Sequence, residues 1–403
     1  MSGVFERLAG QAEVVAELTA AATSARLRVQ GRGWDDSDAR MVHAWLFTGP
    51  PGSGRSVAAM SFAAALQCEN PEIVGCGECR ACHTVLAGTH ADVHLLAPQG
   101  VNILLKDVKE TIHRAASRPA TGRWQIVVVE EADRLTEQSG NALLKVVEEP
   151  PSRTVFLLCS PTTDPMDIMV TLRSRSRNVA LRQPDATAVE TALLADSGID
   201  PDLARWAASV SSGHVGRARW LATDEDTRAR REVVLQLPMV MHNPGRAFPL
   251  ADRLVSSAEQ EAVARNTESD EREVDELRTS LGAGGTGKGT ASAGRGAAGA
   301  VKELERAQKS RRTRSTRDSL DLALVDLAGF YRDSLMAAIG ARDVSQVHPD
   351  KSDESARLGG HYPAASILRA IEAVQQCRSA IEVNIKPKFA VAAMVGAIRE
   401  ALG

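Results

Sequence analysis

The sequence predicts an α/β domain, a parallel sheet covered by helices on both faces, with a cysteine insert, a helical lid and an all-α C-terminal domain to follow. Three observations lead there. An apolar strand, Ala44–Phe47, runs into the glycine loop Gly49-Pro50-Pro51-Gly52-Ser53-Gly54-Arg55-Ser56, and a helix without a breaker continues to about Gln67. Short apolar strands then alternate with helical stretches as far as Leu181, the pattern of a sheet buried on both faces. From about Gln183 the pattern turns helical. The expected boundaries are 1–182 for the sheet domain, 183–225 for the lid and 226–403 for the last domain.

The elements follow in chain order. Val14, Leu18, Ala21 and Ala25 recur at helical spacing and mark a first amphipathic helix, and 31–40 reads as a polar loop. After the glycine loop and its helix come four clustered cysteines and a short strand, Val93–Leu96. Leu105, Val108, Ile112 and Ala115 mark a helix stopped by Pro119. Ile126–Val129 is a β-branched strand ending in Glu130-Glu131-Ala132-Asp133, and Thr136 is placed to cap the helix that ends at Pro150-Pro151. Thr154–Cys159 and Asn178–Leu181 complete the expected strands. Beyond the lid, 266–316 combines mixed charge, a glycine-rich run and "KSRRTRSTR", a composition expected to be disordered or loosely attached. Helix-forming sequence returns with Leu320, Leu322, Leu324, Leu327, Ile367, Ile371 and Val374.

Composition narrows the function. The 403 residues are 43% apolar, 25% charged and only 3% aromatic, so the cores must be built from Ala, Leu and Val. A net charge of −3 lacks the basic excess of a dedicated nucleic-acid binder. No run of about 18 apolar residues predicts a membrane span, and the start, with Glu6 and Arg7, does not read as a signal peptide. The expectation is a cytoplasmic protein whose six cysteines are reduced.

The glycine loop fits the phosphate-loop pattern at Gly49, Gly54 and Ser56, with Gly52 between them, and departs from it at Arg55, where lysine belongs. Lysine acts there as a compact point charge on the β- and γ-phosphates, whereas arginine is planar and directional. The strand end that supplies a magnesium-binding aspartate in such folds carries Glu130, followed by Glu131. These two are either degenerate magnesium and water-polarising groups or a solvated strand end. ATP and Mg²⁺ binding therefore stays open, and hydrolysis is not expected. A second glycine run, "GAGGTGKG" at 282–289, has no preceding strand and Gly289 where a magnesium-binding hydroxyl belongs, so it reads as a linker.

Cys68, Cys76, Cys79 and Cys82 place four thiols within fifteen residues. That spacing suits a tetrahedral Zn²⁺ site whose closed shell makes it structural. Disulfides are disfavoured in a reducing compartment, and a redox Cys-x-x-Cys pair needs only two of the four.

The whole chain resembles the bacterial clamp loader subunits of the AAA+ class. The carriers are "VFERLAGQ" at 4–11, the phosphate loop, the four-cysteine insert behind its helix, and "EEADRLTEQSGNALLKVVEEPPSRTVFLLCSP" at 130–161. "LRSRSR" at 172–177, "GHVGRA" at 213–218 and, more weakly, "IEVNIKPKFAV" at 381–391 complete the set. The resemblance implies that Arg175, in Ser174-Arg175-Ser176, is an arginine finger acting in trans on the ATP of a neighbouring subunit, although serine stands where the family keeps cysteine. It implies that Arg217 is a lid sensor and that Thr162 or Thr163 is the first sensor. It further implies a hetero-oligomer with tau/gamma and delta subunits that loads a sliding clamp onto primed DNA, this chain serving as a stator with slight DNA contact. Two alternatives stand beside it: an active tau/gamma-type ATPase motor, and a nucleotide-independent scaffold of another assembly.

Overall fold

The computed structural model describes residues 3–31, 40–98, 100–195, 198–280, 290–341 and 343–403. They divide into two units, the first ending at Thr223 and the second running from Asp224 and including 100–101.

In the first unit, β1 (Ala44–Thr48), β2 (Val93–Leu96), β3 (Gln125–Val129), β4 (Thr154–Ser160) and β5 (Arg177–Ala180) form a parallel sheet in the order β2-β3-β4-β1-β5. The register sets Ala44 against Phe156, Trp45 against both Leu157 and Arg177, and Thr48 against Ala180. β1, β3 and β4 are buried along their whole length, which is why they read as unbroken apolar runs. Successive side chains point to opposite faces, so Trp45, Phe47, Ile126, Val128 and Leu157 enter one core, while Leu46, Val127, Val129, Phe156 and Leu158 enter the other.

Helices α1 (Ala12–Val29), α2 (Arg55–Gln67) and α3 (Arg80–Leu86) contribute to the first core. Helices α4 (Leu105–Ala115), α5 (Glu137–Glu148) and α6 (Val170–Arg175) contribute to the second. With aromatics scarce, α2 lies close on the sheet through Ala58, Ala59, Ala63 and Ala64, all fully buried, and Phe62 fills the remaining gap edge-on to Trp45 at 4.9 Å. A side chain of that size, fully buried, contributes about 1.5–3 kcal/mol. Thr136 caps α5 by accepting from the Ser139 N–H at 3.3 Å.

The turn that leads into β3 is held by Asp92. Its carboxylate accepts the backbone N–H groups of Ala120, Thr121 and Gly122 at 2.7, 2.8 and 2.6 Å. Burial alone would push its pKa up; these donors and the Thr121 hydroxyl outweigh burial and hold it below the ordinary aspartate value.

The lid is α7 (Ala186–Leu194), α8 (Pro201–Val210) and α9 (Val215–Thr223), closed around its own small core of Val189, Leu193, Ala204, Ala207 and Leu221. Asp185 and Asp200 cap α7 and α8. The second unit is helical: α10 (Glu225–Val240), α11 (Pro244–Ser280), α12 (Thr290–Ala338), α13 (Ser352–His361), α14 (Ala364–Glu382) and α15 (Pro387–Leu402). Leu320, Leu324, Leu327, Phe330, Ile367, Val374 and Val395 sit at its core.

The stretch 266–316, expected to be disordered or loosely attached, is helical where it is described. Residues 266–280 continue α11 and residues 290–316 belong to α12, while 281–289, which include the whole "GAGGTGKG" run, lie outside the described residues. Few apolar residues are available here, and opposite charges take their place. Arg311 and Arg312 both donate to the buried Asp270, and Arg311 also donates to Glu273 at 2.7 and 2.9 Å. The hydrogen bond from Arg311 pulls the Glu273 carboxyl below its usual range. Two cations of the basic run, Arg311 and Arg312, are thus neutralised by the facing helix.

Candidate functional site

The glycine loop leaves the carboxyl end of β1 and opens α2. Gly52 and Gly54 adopt φ of 85° and 91°, a region L side chains rarely occupy, and a Cβ at Gly52 would lie 2.6 Å from His214 Cβ. No side chain caps α2, so its first-turn amides keep the geometry that cradles an anion. Arg55 does not replace the missing lysine in kind. Its Nη1 donates to the Gly49 carbonyl at 2.5 Å, turning the guanidinium back onto the loop. The loop therefore fits an anion but offers no lysine-like charge to the terminal phosphate.

The other nucleotide-site candidates collect only in part. Ser56 hydrogen-bonds Cys159 at the end of β4, and burial, with the nearby Glu130 charge, pushes that thiol up to about 12. Glu130 is half-buried at the end of β3, its N–H donating to the Leu96 carbonyl at 2.9 Å, and Glu131 turns the chain at φ 53°. Asp133 is pushed upward by burial, with Arg134 and Arg55 acting against that. Thr162 lies on an exposed turn, where its hydroxyl donates to Asp167 at 2.5 Å and accepts from the Asp164 N–H at 2.9 Å. Arg217 is buried in α9, its N–H donating to His214 Nδ1 at 3.2 Å. Sequence reading passed over His214. The imidazole packs over Gly52, and burial, reinforced by Arg217, lowers its pKa, so the lid closes on the loop with a neutral group. A histidine inside "GHVGRA" gives no sign of this in sequence, because the contact joins residues far apart in the chain.

Arg175 stands elsewhere. It ends α6, two residues before Arg177 enters β5 opposite Trp45, whereas the glycine loop begins beyond Thr48 at the far end of β1. At about 3.3 Å per residue, those four register steps alone separate it from its own loop by about 13 Å along the strands. Its guanidinium pairs with Glu148 at 2.8 Å and donates to the Thr171 carbonyl at 3.1 Å, with both partners of the ion pair about two-fifths exposed. An exposed pair of this kind is worth about 0–1 kcal/mol and exchanges readily for a stronger anion.

The four cysteines are brought together. Their Sγ atoms all lie within 4.8 Å of one another. Four sulfurs bound at about 2.3 Å in a tetrahedron stand about 3.8 Å apart, so the group fits one metal ion. The N–H groups of Cys76, Cys79 and Cys82 donate to the sulfurs of Cys68, Cys76 and Cys79 at 3.4, 3.3 and 3.4 Å, which favours thiolates. The hydrogen bond between Cys82 and Cys68 pulls the Cys68 thiol down and pushes the Cys82 thiol up, and burial pushes Cys76 up. Four protein ligands leave no open position, so such an ion is structural. The turn is tied to the N-terminal segment by the Val4 N–H, which donates to the Gly75 carbonyl at 3.0 Å.

Residues 36–185 match the family model described as DNA polymerase III, delta subunit. The chain is similar to DNA polymerase III subunit delta′ of Escherichia coli (strain K12), 35% identical over 191 residues that cover 47% of this chain and 57% of that protein. It is similar to subunit delta′ of Bacillus subtilis (strain 168), 28% identical over 210 residues, 52% of this chain and 63% of that one. DNA polymerase III subunit tau/gamma of Haemophilus influenzae matches at 34% identity over 153 residues, 38% of this chain and 22% of that protein. The chain spans about three fifths of the length of the two delta′ relatives. Among the described residues no helix is long and apolar enough to cross a membrane.

Proposed function

We propose, from the premise that this is a delta-prime-like member of the clamp loader family, that the chain is a stator subunit of a DNA polymerase III clamp loader. It holds neighbouring tau/gamma and delta subunits in the cytoplasm, helps them place a sliding clamp on primed DNA, and lends Arg175 to the ATP site of one neighbour. It does not itself hydrolyse ATP. A structural Zn²⁺ on Cys68, Cys76, Cys79 and Cys82 fixes the insert, and contact with DNA is slight, in keeping with the net charge of −3.

The observation that carries this reading is the placement of Arg175 at the amino end of β5, the opposite end of the paired strands β1 and β5 from its own glycine loop. A cation there can serve a nucleotide only if another subunit presents one. The degenerate loop points the same way: tau/gamma relatives match nearly as well in identity, but Arg55, bound to Gly49, and Glu130 speak against a motor. Glu130 and Glu131 would then be remnants of a magnesium site, and Thr162 and Arg217 remnants of sensors. The test is reconstitution with tau/gamma and delta subunits. The chain is expected to enter a stable complex whose ATPase and clamp-loading activity depend on it; failure to associate with either subunit contradicts the proposal.

A further inference from the structure

The edge of the sheet that carries Arg175 also carries a cleft of about 770 Å³, in the size range of small-ligand pockets. Arg28, Arg153, Arg175 and Arg177 line it, and no aspartate or glutamate does. Three of these cations are engaged: Arg175 by Glu148, Arg177 by Glu17 at 2.7 Å and by the Trp45 ring at 5.4 Å, and Arg28 by a further contact. Arg153 differs. Its side chain is exposed and makes no hydrogen bond or ion pair among the described residues. Its backbone sits at φ 60°, while its carbonyl accepts the Gln125 N–H at 2.8 Å. The left-handed region is unfavourable for a residue with a Cβ, and glycine relieves that. A strained position filled by an unengaged guanidinium, on the rim of a cleft that arginines line and no carboxylate does, suits an anion.

We infer that Arg153 is a second trans-acting cation, which binds the phosphates of the neighbouring subunit's nucleotide beside Arg175. The inference rests on the stator reading, since that reading brings a nucleotide to this edge. The two arginines divide the work. Arg175 acts on charge that develops during phosphoryl transfer, whereas Arg153 holds phosphate charge already present in the bound nucleotide. Loss of Arg153 therefore weakens binding more than turnover.

The test uses the reconstituted complex carrying Arg153→Gly, Arg153→Lys or Arg175→Ala, with assembly followed by gel filtration and ATP turnover followed over a range of ATP concentrations. Arg153→Gly is expected to raise KM at the adjoining site about tenfold, the worth of one charge-assisted hydrogen bond. Its kcat falls far less than that of Arg175→Ala, its folding stability does not decrease, and Arg153→Lys recovers most of the affinity. If Arg153→Gly leaves KM unchanged while Arg175→Ala slows turnover, the inference is wrong and the stator reading stands. If the higher KM merely tracks loss of assembly, the cleft is a subunit contact and the inference is overturned. If Arg175→Ala changes nothing in an intact complex, the underlying reading falls and the inference with it.

Discussion

Replacing Arg175 by alanine is expected to slow phosphoryl transfer at the adjoining ATP site by about 10³-fold or more, the range in which a guanidinium supplied in trans stabilises transition-state charge. The effect should fall on kcat and leave assembly intact, because Arg175 lies at an exposed helix end and buries little. Removing its pair with Glu148 costs the isolated subunit at most about 1 kcal/mol. If other sites in the complex carry their own fingers, steady-state turnover falls by the share of this one site. Single-turnover measurements then show one kinetic phase lost and the others kept. An intact complex with every phase unchanged would remove Arg175 from the chemistry.

The second large effect concerns the cysteines. The purified chain is expected to carry one Zn²⁺, measured by elemental analysis, and Co²⁺ in its place should give the absorption of a tetrahedral tetrathiolate. Structural zinc contributes about 10–16 kcal/mol of apparent binding free energy in small modules, and that energy is coupled to folding. Stripping the metal, or making Cys82→Ser, should therefore release residues 68–90 and lower the thermal midpoint. Because Cys68, Cys76 and Cys82 belong to the same core as α2 and the N-terminal Val4 and Phe5, the loss should spread to that segment. The sheet face that holds Leu46, Phe156 and Leu158 has a separate core and should outlast it. A metal-free chain of unchanged stability, or one oxidised at all four thiols, would contradict the assignment.

Much of the fold could be read in advance because the signals are local. β3 and β4 are buried on both faces, so their β-branched and apolar runs are continuous, and the glycine loop and cysteine spacing carry their chemistry within a few residues. What stayed hidden depends on pairs far apart in sequence. Asp270 meets Arg311 and Arg312 from the facing helix, so a stretch that composition marks as unable to bury a core is nevertheless helical. The His214 contact with Gly52 and the fold-back of Arg55 onto Gly49 are likewise geometric facts without a motif. Arg175 was identified by resemblance alone, since a surface arginine in a basic run has no signature of its own. The register of β5 on β1 gives its position a physical meaning by putting it at the end of the strands that its own loop does not reach.

The central claim is that the chain's own phosphate loop is silent and its useful cation faces outward. ATP turnover by the purified chain alone, with Ser56→Ala as a control, tests this most directly. The expected result is no turnover above background, with ATPase appearing only when partner subunits are added. Steady hydrolysis by the isolated chain that Ser56→Ala abolishes would contradict it and make the protein a motor.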